Sequence, residues 1–123
     1  MQLFKRNNLI IFLFLLFNLS VGQQYPSKNY STLDGLSSNS IYTIFKDSRG
    51  ILWVGTSNGL AKIIGNDIQN FYEKDGLAFN NCLDIKEDKN KNLWFASYGG
   101  GLTFYDGEIF KVINREKGLI HNN

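Results

Sequence analysis

The chain repeats itself at an interval of about 41 residues, and this repeat constrains the fold more than any other feature of the sequence. Matching residues recur at offsets of 41 or 42 along most of the chain. The clearest recurrences are Gly35-Leu36, Gly76-Leu77 and Gly118-Leu119, together with Trp53 and Trp94. Such a number of matches at one offset does not arise by chance, and we infer that the chain consists of repeated structural units.

The repeated residues are of the types expected in turns and between packed sheets. Asp47 is predicted to open a hairpin turn and accept hydrogen bonds from its free N–H groups, and Gly50 to supply a positive φ there. Trp53 is expected to fill the gap between adjacent sheets, and Gly55 to keep a strand slim where the sheets converge. We interpret the whole set as a structural motif. Its members are Gly35, Leu36, Asn39, Asp47, Gly50, Trp53, Gly55, Gly59, Gly76, Leu77, Asn80, Asp88, Trp94 and Gly101.

Each unit is predicted to contain four short strands, because apolar residues alternate between turn signals. Asn58-Gly59 predicts a type I′ turn between the second and third strands of the first unit. A four-stranded antiparallel meander of this length is the size of one β-propeller blade. The sequence therefore predicts an all-β fold in which two blades form an incomplete propeller. The predicted strands are Ile41–Lys46, Ile51–Thr56, Leu60–Ile64 and Ile68–Tyr72, then Cys82–Glu87, Leu93–Ser97, Leu102–Tyr105 and Ile109–Ile113.

The domain boundaries follow from the repeat and from the N-terminus. Tyr25–Thr32 aligns with the fourth strand of a blade, although no blade precedes it, and in many closed propellers such a strand completes the last blade. We expect a signal peptide at 1–22, this N-terminal strand at 23–33, blades at 34–75 and 76–117, and the truncated start of a third blade at 118–123.

The first residues have the organisation of an export signal. Lys5 and Arg6 precede an apolar run at Leu9–Leu19, and small residues lead to a cleavage site between Gly22 and Gln23. The run is too short for a membrane span and no second apolar run follows it, so we expect no span after cleavage. Cleavage removes two of the thirteen basic residues and leaves eleven against eleven acidic ones. This neutral balance argues against nucleic acid as a partner of this segment.

No residue pattern specifies catalysis, a cofactor or a metal. Cys82 is the only cysteine, which excludes an intrachain disulfide, and we interpret it as a core thiol. Asp84, Glu87 and Asp88 alternate with apolar residues, so we interpret them as a solvated face rather than a metal site. His121 has no partner at a catalytic spacing. We predict that this chain is not an enzyme.

Two stretches resemble the two-component regulator propeller repeat: Gly35–Leu60 (GLSSNSIYTIFKDSRGILWVGTSNGL) and the more divergent Gly76–Leu102. The final GLIHNN resembles the start of a third copy. In the second copy Lys91 stands where the first has Gly50, and we expect Asn90 or Asn92 to adopt the positive φ instead. Ala96-Ser97 likewise replaces Gly55-Thr56.

This resemblance implies a location and a function. Members of the two-component regulator propeller family build large propellers in the periplasm of Gram-negative bacteria. A membrane helix and a histidine kinase that starts a phosphorelay follow the propeller. Many of them sense glycan fragments. The resemblance therefore implies a ligand-sensing domain whose partners are an oligosaccharide or other small molecule, the missing blades and the downstream domains of a parent chain. It identifies no ligand-binding residue. The alternatives are a secreted propeller enzyme acting on polysaccharide and an adhesive surface propeller.

Overall fold

The computed structural model describes residues 22 and 24–121 and contains two four-stranded antiparallel sheets. The predicted signal peptide before Gly22, the residue after its cleavage site and the last two residues of the chain lie outside this range. In each sheet the strands lie side by side in chain order, which is the meander of a propeller blade. The prediction of two blades that leave a propeller incomplete is confirmed. Within the described range no helix is long enough and apolar enough to cross a membrane.

The observed strands agree with the predicted ones to within two residues at each end. We call the first sheet blade 1 and the second blade 2. Blade 1 contains β1 (Ile41–Lys46), β2 (Leu52–Thr56), β3 (Gly59–Ile64) and β4 (Asp67–Phe71), and blade 2 contains β5 (Asp84–Glu87), β6 (Leu93–Ser97), β7 (Gly101–Tyr105) and β8 (Phe110–Ile113).

The β2–β3 hairpin differs from its predicted turn type. Thr56 pairs with Gly59, so the loop consists of Ser57 and Asn58, and Gly59 opens β3 with φ +111°. Lys91 is the only non-glycine with positive φ in the described part of the chain, so Asn58 is not left-handed and the type I′ prediction is wrong. The hydroxyl of Thr56 accepts from Asn58 N and donates to Gly59 O, which holds the turn and leaves the positive φ to the glycine.

The repeated Gly-Leu pair ends a short 3-10 turn that leads from one blade to the next. Gly35, Gly76 and Gly118 follow the turns Thr32–Asp34, Glu73–Asp75 and Arg115–Lys117, with φ of +106°, +109° and +105°. The N–H of each glycine donates to the first carbonyl of its turn, and only glycine adopts this conformation without strain. The leucine that follows is buried in blades 1 and 2.

The repeated asparagine satisfies the beginning of the same turn. The side-chain oxygen of Asn39 accepts from Thr32 N at 2.8 Å, and that of Asn80 accepts from Glu73 N at 2.8 Å. Each asparagine therefore ties the chain that enters a blade to the turn that precedes it. Its recurrence in the sequence reflects this hydrogen bond.

The two blades pack face to face and share the main core. Trp53 and Leu60 of blade 1 lie against blade 2, and β1 and β2 approach β5. The buried members of this core are Trp53, Leu60, Leu77, Cys82, Ile85, Leu93, Phe95 and Tyr105, with Phe45, Ile51, Phe71 and Phe110 packed against them.

The opposite face of blade 1 has a smaller core that the N-terminal segment partly covers. Leu36, Val54, Ala61 and Ile63 are buried there, and Tyr30 packs against them. Residues 24–31 pair with no strand in the described structure. Their predicted role as the outer strand of a last blade stays a prediction.

Two equivalent isoleucines differ in burial according to whether a blade packs on their side of the sheet. Ile85 lies between the blades and is 1% exposed, whereas its counterpart Ile44 lies on the free face of blade 1 and is 64% exposed. The two residues occupy the same place in the repeat, and packing against the neighbouring blade contributes to the burial of Ile85.

Candidate functional site

The Asp47 carboxylate is fully used by its own turn and by the core tryptophan. Oδ1 accepts from Arg49 N at 3.0 Å and from Ile51 N at 2.9 Å. Oδ2 accepts from the Trp53 indole N–H at 2.9 Å. Gly50 completes the turn with φ +84°. One buried carboxylate thus fixes a hairpin and orients the indole six residues later, which leaves no oxygen directed at a metal or substrate.

Blade 2 repeats this arrangement around Asp88. Its Oδ1 accepts from Asn90 N and Asn92 N at 2.9 and 3.0 Å, and its Oδ2 accepts from the Trp94 indole at 3.1 Å. The hydrogen bond from Trp94 is the largest cause that holds the pKa of Asp88 below its ordinary value. This aspartate–tryptophan bond was not predicted from the sequence. The signal that identifies it is the constant spacing of six residues in both units.

The positive φ in the second turn falls on Lys91, at +65°, so the expectation that Asn90 or Asn92 would adopt it is wrong. The physical reason is the aspartate. Both neighbouring N–H groups are bound to Asp88 Oδ1, which holds residue 91 in the place that Gly50 has in blade 1. Hydrogen bonding therefore overrides the preference of the lysine side chain.

Trp53 and Trp94 have the same anchor but different surroundings. Trp53 is 1% exposed, and its ring centroid lies 5.5 Å from that of Phe95 and 5.6 Å from that of Tyr105, both in blade 2. Trp94 is half-buried on the free face of blade 2, where it meets Phe104 edge-on at 4.9 Å. Trp53 is therefore the residue that joins the blades, and Trp94 lacks an equivalent neighbour in the described structure.

Gly55 lies where the inner edges of the blades meet. A Cβ at this position would stand 2.5 Å from Cys82 O and 2.6 Å from Thr43 Cγ2, closer than heavy atoms approach. Close by, Cys82 N donates to Thr56 O at 3.1 Å across the two blades. In blade 2 the corresponding residue is Ala96, on a face without a neighbouring blade in the described structure.

A second link between the blades uses Glu87. Its carboxylate accepts from Ser48 N at 2.9 Å and from the Ser48 hydroxyl at 2.7 Å, so it caps the turn of blade 1. Glu87 is half-buried and its bonds to Ser48 are exposed to solvent, so it lies on a solvated face and also links the blades. Asp84 is exposed and lies 3.7 Å from Lys86. Nowhere in the described part of the chain do three or more His, Cys, Asp or Glu side chains form a potential metal-binding group.

Cys82 is a buried thiol, as the sequence interpretation has it. Burial is the main cause that raises its pKa to about 12, and the Asp84 carboxylate adds to the shift. A thiol in this state is a poor nucleophile, because the thiolate is the reactive form.

The end of blade 2 opposite the aspartate turn departs from the repeat and exposes aromatic side chains. The extra residue of the second unit lies in the β6–β7 turn, beside the connection from β4 to β5. Asn81 Oδ1 accepts from Tyr98 N at 2.9 Å and ties the two loops together. Tyr98 and Phe79 are 64% and 44% exposed. We call these three residues the loop surface. Tyr98, Phe79 and Asn81 correspond to Ser57, Ser38 and Ser40 of blade 1, so the loop surface is specific to one repeat.

Together, the meander topology and the paired Asp–Trp turns define a class of protein: a β-propeller, of which this chain provides two adjacent blades. Residues 35–58 and 76–99 match the protein family described as Two component regulator propeller, so the chain contains two copies of this family's repeat.

Two relatives support this assignment. The chain is 38% identical over 84 residues to Histidine kinase P4 from Formosa agariphila, a match that covers 61% of the chain and 6% of that protein. It is also similar to the crystal structure of the extracellular domain of the hybrid two component system BT3049 from B. thetaiotaomicron. That match has a TM-score of 0.67 and 28% identity, and it covers 75% of the chain and 13% of the other. The chain thus spans a small part of the length of either relative.

Proposed function

We propose that the chain is the N-terminal part of the extracytoplasmic sensor domain of a two-component signalling protein and that the domain responds to a glycan. The observation that carries the proposal is the pair of family repeats folded as adjacent blades. The predicted export signal and the likeness to a histidine kinase and to an extracellular domain support it. The kinase and the membrane helix belong to the parent chain.

The geometry favours ligand binding over catalysis. The repeated aspartates Asp47 and Asp88 are occupied by their turns and tryptophans. We assign contact with a ligand to the loop surface, where two exposed aromatic side chains lie on loops that the Asn81–Tyr98 hydrogen bond joins. Rings that offer an apolar face, together with a few placed polar groups, are suited to bind a sugar.

The ligand would act by shifting a population. A glycan that binds one arrangement of the propeller and the downstream domains more tightly favours that arrangement, in proportion to its differential affinity. The loop surface lies close to the connection between the blades, so an occupied site would bias the way in which blades pack.

The test uses the intact parent protein in membranes and measures autophosphorylation against the concentration of each oligosaccharide in a panel. We expect Tyr98→Ala and Phe79→Ala to raise the half-maximal concentration about tenfold, corresponding to about 1.4 kcal/mol of lost binding. Ile109→Ala is the control, because Ile109 is similarly exposed but lies at the other end of blade 2. If the half-maximal concentration for autophosphorylation is unchanged in both aromatic variants, the ligand does not bind at the loop surface. Release of hydrolysis products from the panel would favour the polysaccharide-degrading alternative.

A further inference from the structure

The β6–β7 turn of blade 2 is one residue longer than the equivalent β2–β3 turn of blade 1. The turn consists of Ser57 and Asn58 in blade 1, and of Tyr98, Gly99 and Gly100 in blade 2. The family repeat ends at Asn58 in the first copy and at Gly99 in the second, so Gly100 has no counterpart in blade 1. We call residues 98–100 the long turn.

In blade 1 the shorter turn is fastened directly to the chain that enters the blade. Ser57 N donates to the backbone carbonyl of Ser40 at 3.0 Å. The hydroxyls of Ser38 and Ser57 lie 2.9 Å apart and form a second bond between the same two segments. Three serines therefore hold this turn in place.

In blade 2 different groups occupy the same positions. Tyr98 N donates to the side-chain oxygen of Asn81 at 2.9 Å, where blade 1 uses the backbone carbonyl of Ser40. Phe79 and Tyr98 stand where blade 1 has the bonded hydroxyl pair. An amide side chain thus holds the long turn, and two exposed aromatic side chains replace two serines.

Gly100 lets the long turn lie close against the connection from β4 to β5. A Cβ at this position would stand 2.5 Å from Ala78 O and 2.6 Å from Phe79 Cβ, closer than heavy atoms approach. The φ of Gly100 is not positive, so the requirement for glycine comes from this contact and not from the backbone conformation. Any side chain at residue 100 therefore pushes the long turn away from Phe79.

We propose that Gly100 is a positioning residue that determines which glycan the loop surface accepts. This inference rests on the proposed function and assigns Gly100 no contact with the ligand. Gly100 and the bond to Asn81 together fix the spacing of Tyr98 and Phe79. The spacing of two aromatic side chains selects the sugars that fit both, and groups held in place lose less entropy when the ligand binds.

The first test converts the long turn to the form found in blade 1. Deletion of Gly100 combined with Asn81→Ser gives blade 2 that turn and keeps both aromatic side chains. The intact parent protein in membranes is assayed for autophosphorylation against each oligosaccharide of the panel. We expect the half-maximal concentration of the best wild-type ligands to rise about tenfold and the order of potency across the panel to change.

The thermal unfolding midpoint of the same parent protein separates positioning from folding. Because blade 1 already folds with the shorter turn, we expect this variant to keep the wild-type midpoint. A role of Gly100 in folding alone predicts the reverse, a lower midpoint with an unchanged order of potency.

A second variant, Gly100→Ala, changes only the contact and decides the question if the deletion variant does not fold. It should also change the order of potency, and the Tyr98 amide should exchange its hydrogen faster because the long turn moves away from Asn81. Ile109→Ala, at the other end of blade 2, is the control and should change neither.

The outcomes separate this inference from the proposed function. If both Gly100 variants keep the wild-type order and half-maximal concentrations while Tyr98→Ala and Phe79→Ala weaken the response, Gly100 has no positioning role and the proposed function stands. If no oligosaccharide activates the wild type, the glycan response and the role of Gly100 are both overturned.

Discussion

At the scale of single residues, one aspartate carboxylate in each blade accepts hydrogen bonds from its own turn and from a tryptophan. Asp47 accepts three hydrogen bonds, from two turn N–H groups and the Trp53 indole. Because the carboxylate is buried, its removal leaves these donors without a partner. The repeated aspartate is thus part of the structural framework.

We predict that Asp47→Ala lowers the free energy of unfolding by about 3 kcal/mol, because unsatisfied buried donors cost about 1–3 kcal/mol each and partly rehydrate. Urea titration at a single low protein concentration measures it. Asp67→Ala is the control, since Asp67 is exposed at the start of β4, and it should change stability by less than about 0.5 kcal/mol. Equal effects of the two substitutions would contradict the role of Asp47.

For Lys91 we predict a substitution that stabilises the chain, in contrast to Asp47→Ala. Its φ of +65° costs a non-glycine residue about 1 kcal/mol, so Lys91→Gly should stabilise the chain by up to about that amount. Lys89→Gly in the same turn should not, because residue 89 has no positive φ and glycine there only adds freedom to the unfolded chain. Urea midpoints compare them. A loss of stability in Lys91→Gly would show that the strain is absent.

Cys82 couples stability to alkaline pH. Its pKa is raised from 9.0 to about 12, mainly by burial, so the folded state keeps the proton more tightly than the unfolded state does. The contribution of the protonated thiol to the free energy of unfolding is complete below pH 9.0 and is lost as pH rises toward about 12. We expect a thiol reagent at pH 8 to modify Cys82 only at the rate of unfolding. Rapid modification of the native chain would place the thiol at the surface.

At the scale of elements, the blades show how neighbouring sheets determine burial. Ile85 and Ile44 can be compared directly within one molecule, because both lie on the first strand of a blade at the same repeat position. Ile85 lies in the core that the two blades share, whereas Ile44 does not, so burial at this position depends on a neighbouring sheet.

We predict that Ile85→Ala costs about 3 kcal/mol of unfolding free energy, as other buried isoleucines do, and that Ile44→Ala costs less than about 1 kcal/mol. Both are measured by urea titration at a protein concentration that keeps the chain monomeric. Similar costs for the two substitutions would mean that the blades do not pack through the face that contains Ile85.

The strands were predictable from the sequence, and several contacts were not. Alternating apolar residues and turn signals located the strands because each blade is locally encoded. The Ser48–Glu87 bond was missed because it joins residues of different units. The turn at Lys91 was mispredicted because Asp88, and not the preference of residue 91, determines its backbone. Periodicity shows which residues repeat, and the structure shows that each aspartate accepts a hydrogen bond from the tryptophan six residues later.

At the scale of the whole molecule, two blades have two outward faces. Blade 1 exposes Ile44 and Ile41, and blade 2 leaves Trp94 half-buried. Apolar sheet faces of this kind bind partners or aggregate. We therefore expect the isolated chain to be prone to association and proteolysis unless further blades cover it.

The central claim is that the two blades belong to the sensor domain of a two-component protein. The most direct test is to sequence the messenger RNA past the codon for Asn123. We predict an in-frame run of further repeats of about 41 residues, followed by a membrane helix and a histidine kinase. A reading frame that ends soon after its last blade, with no membrane helix and no kinase, would contradict the sensor function.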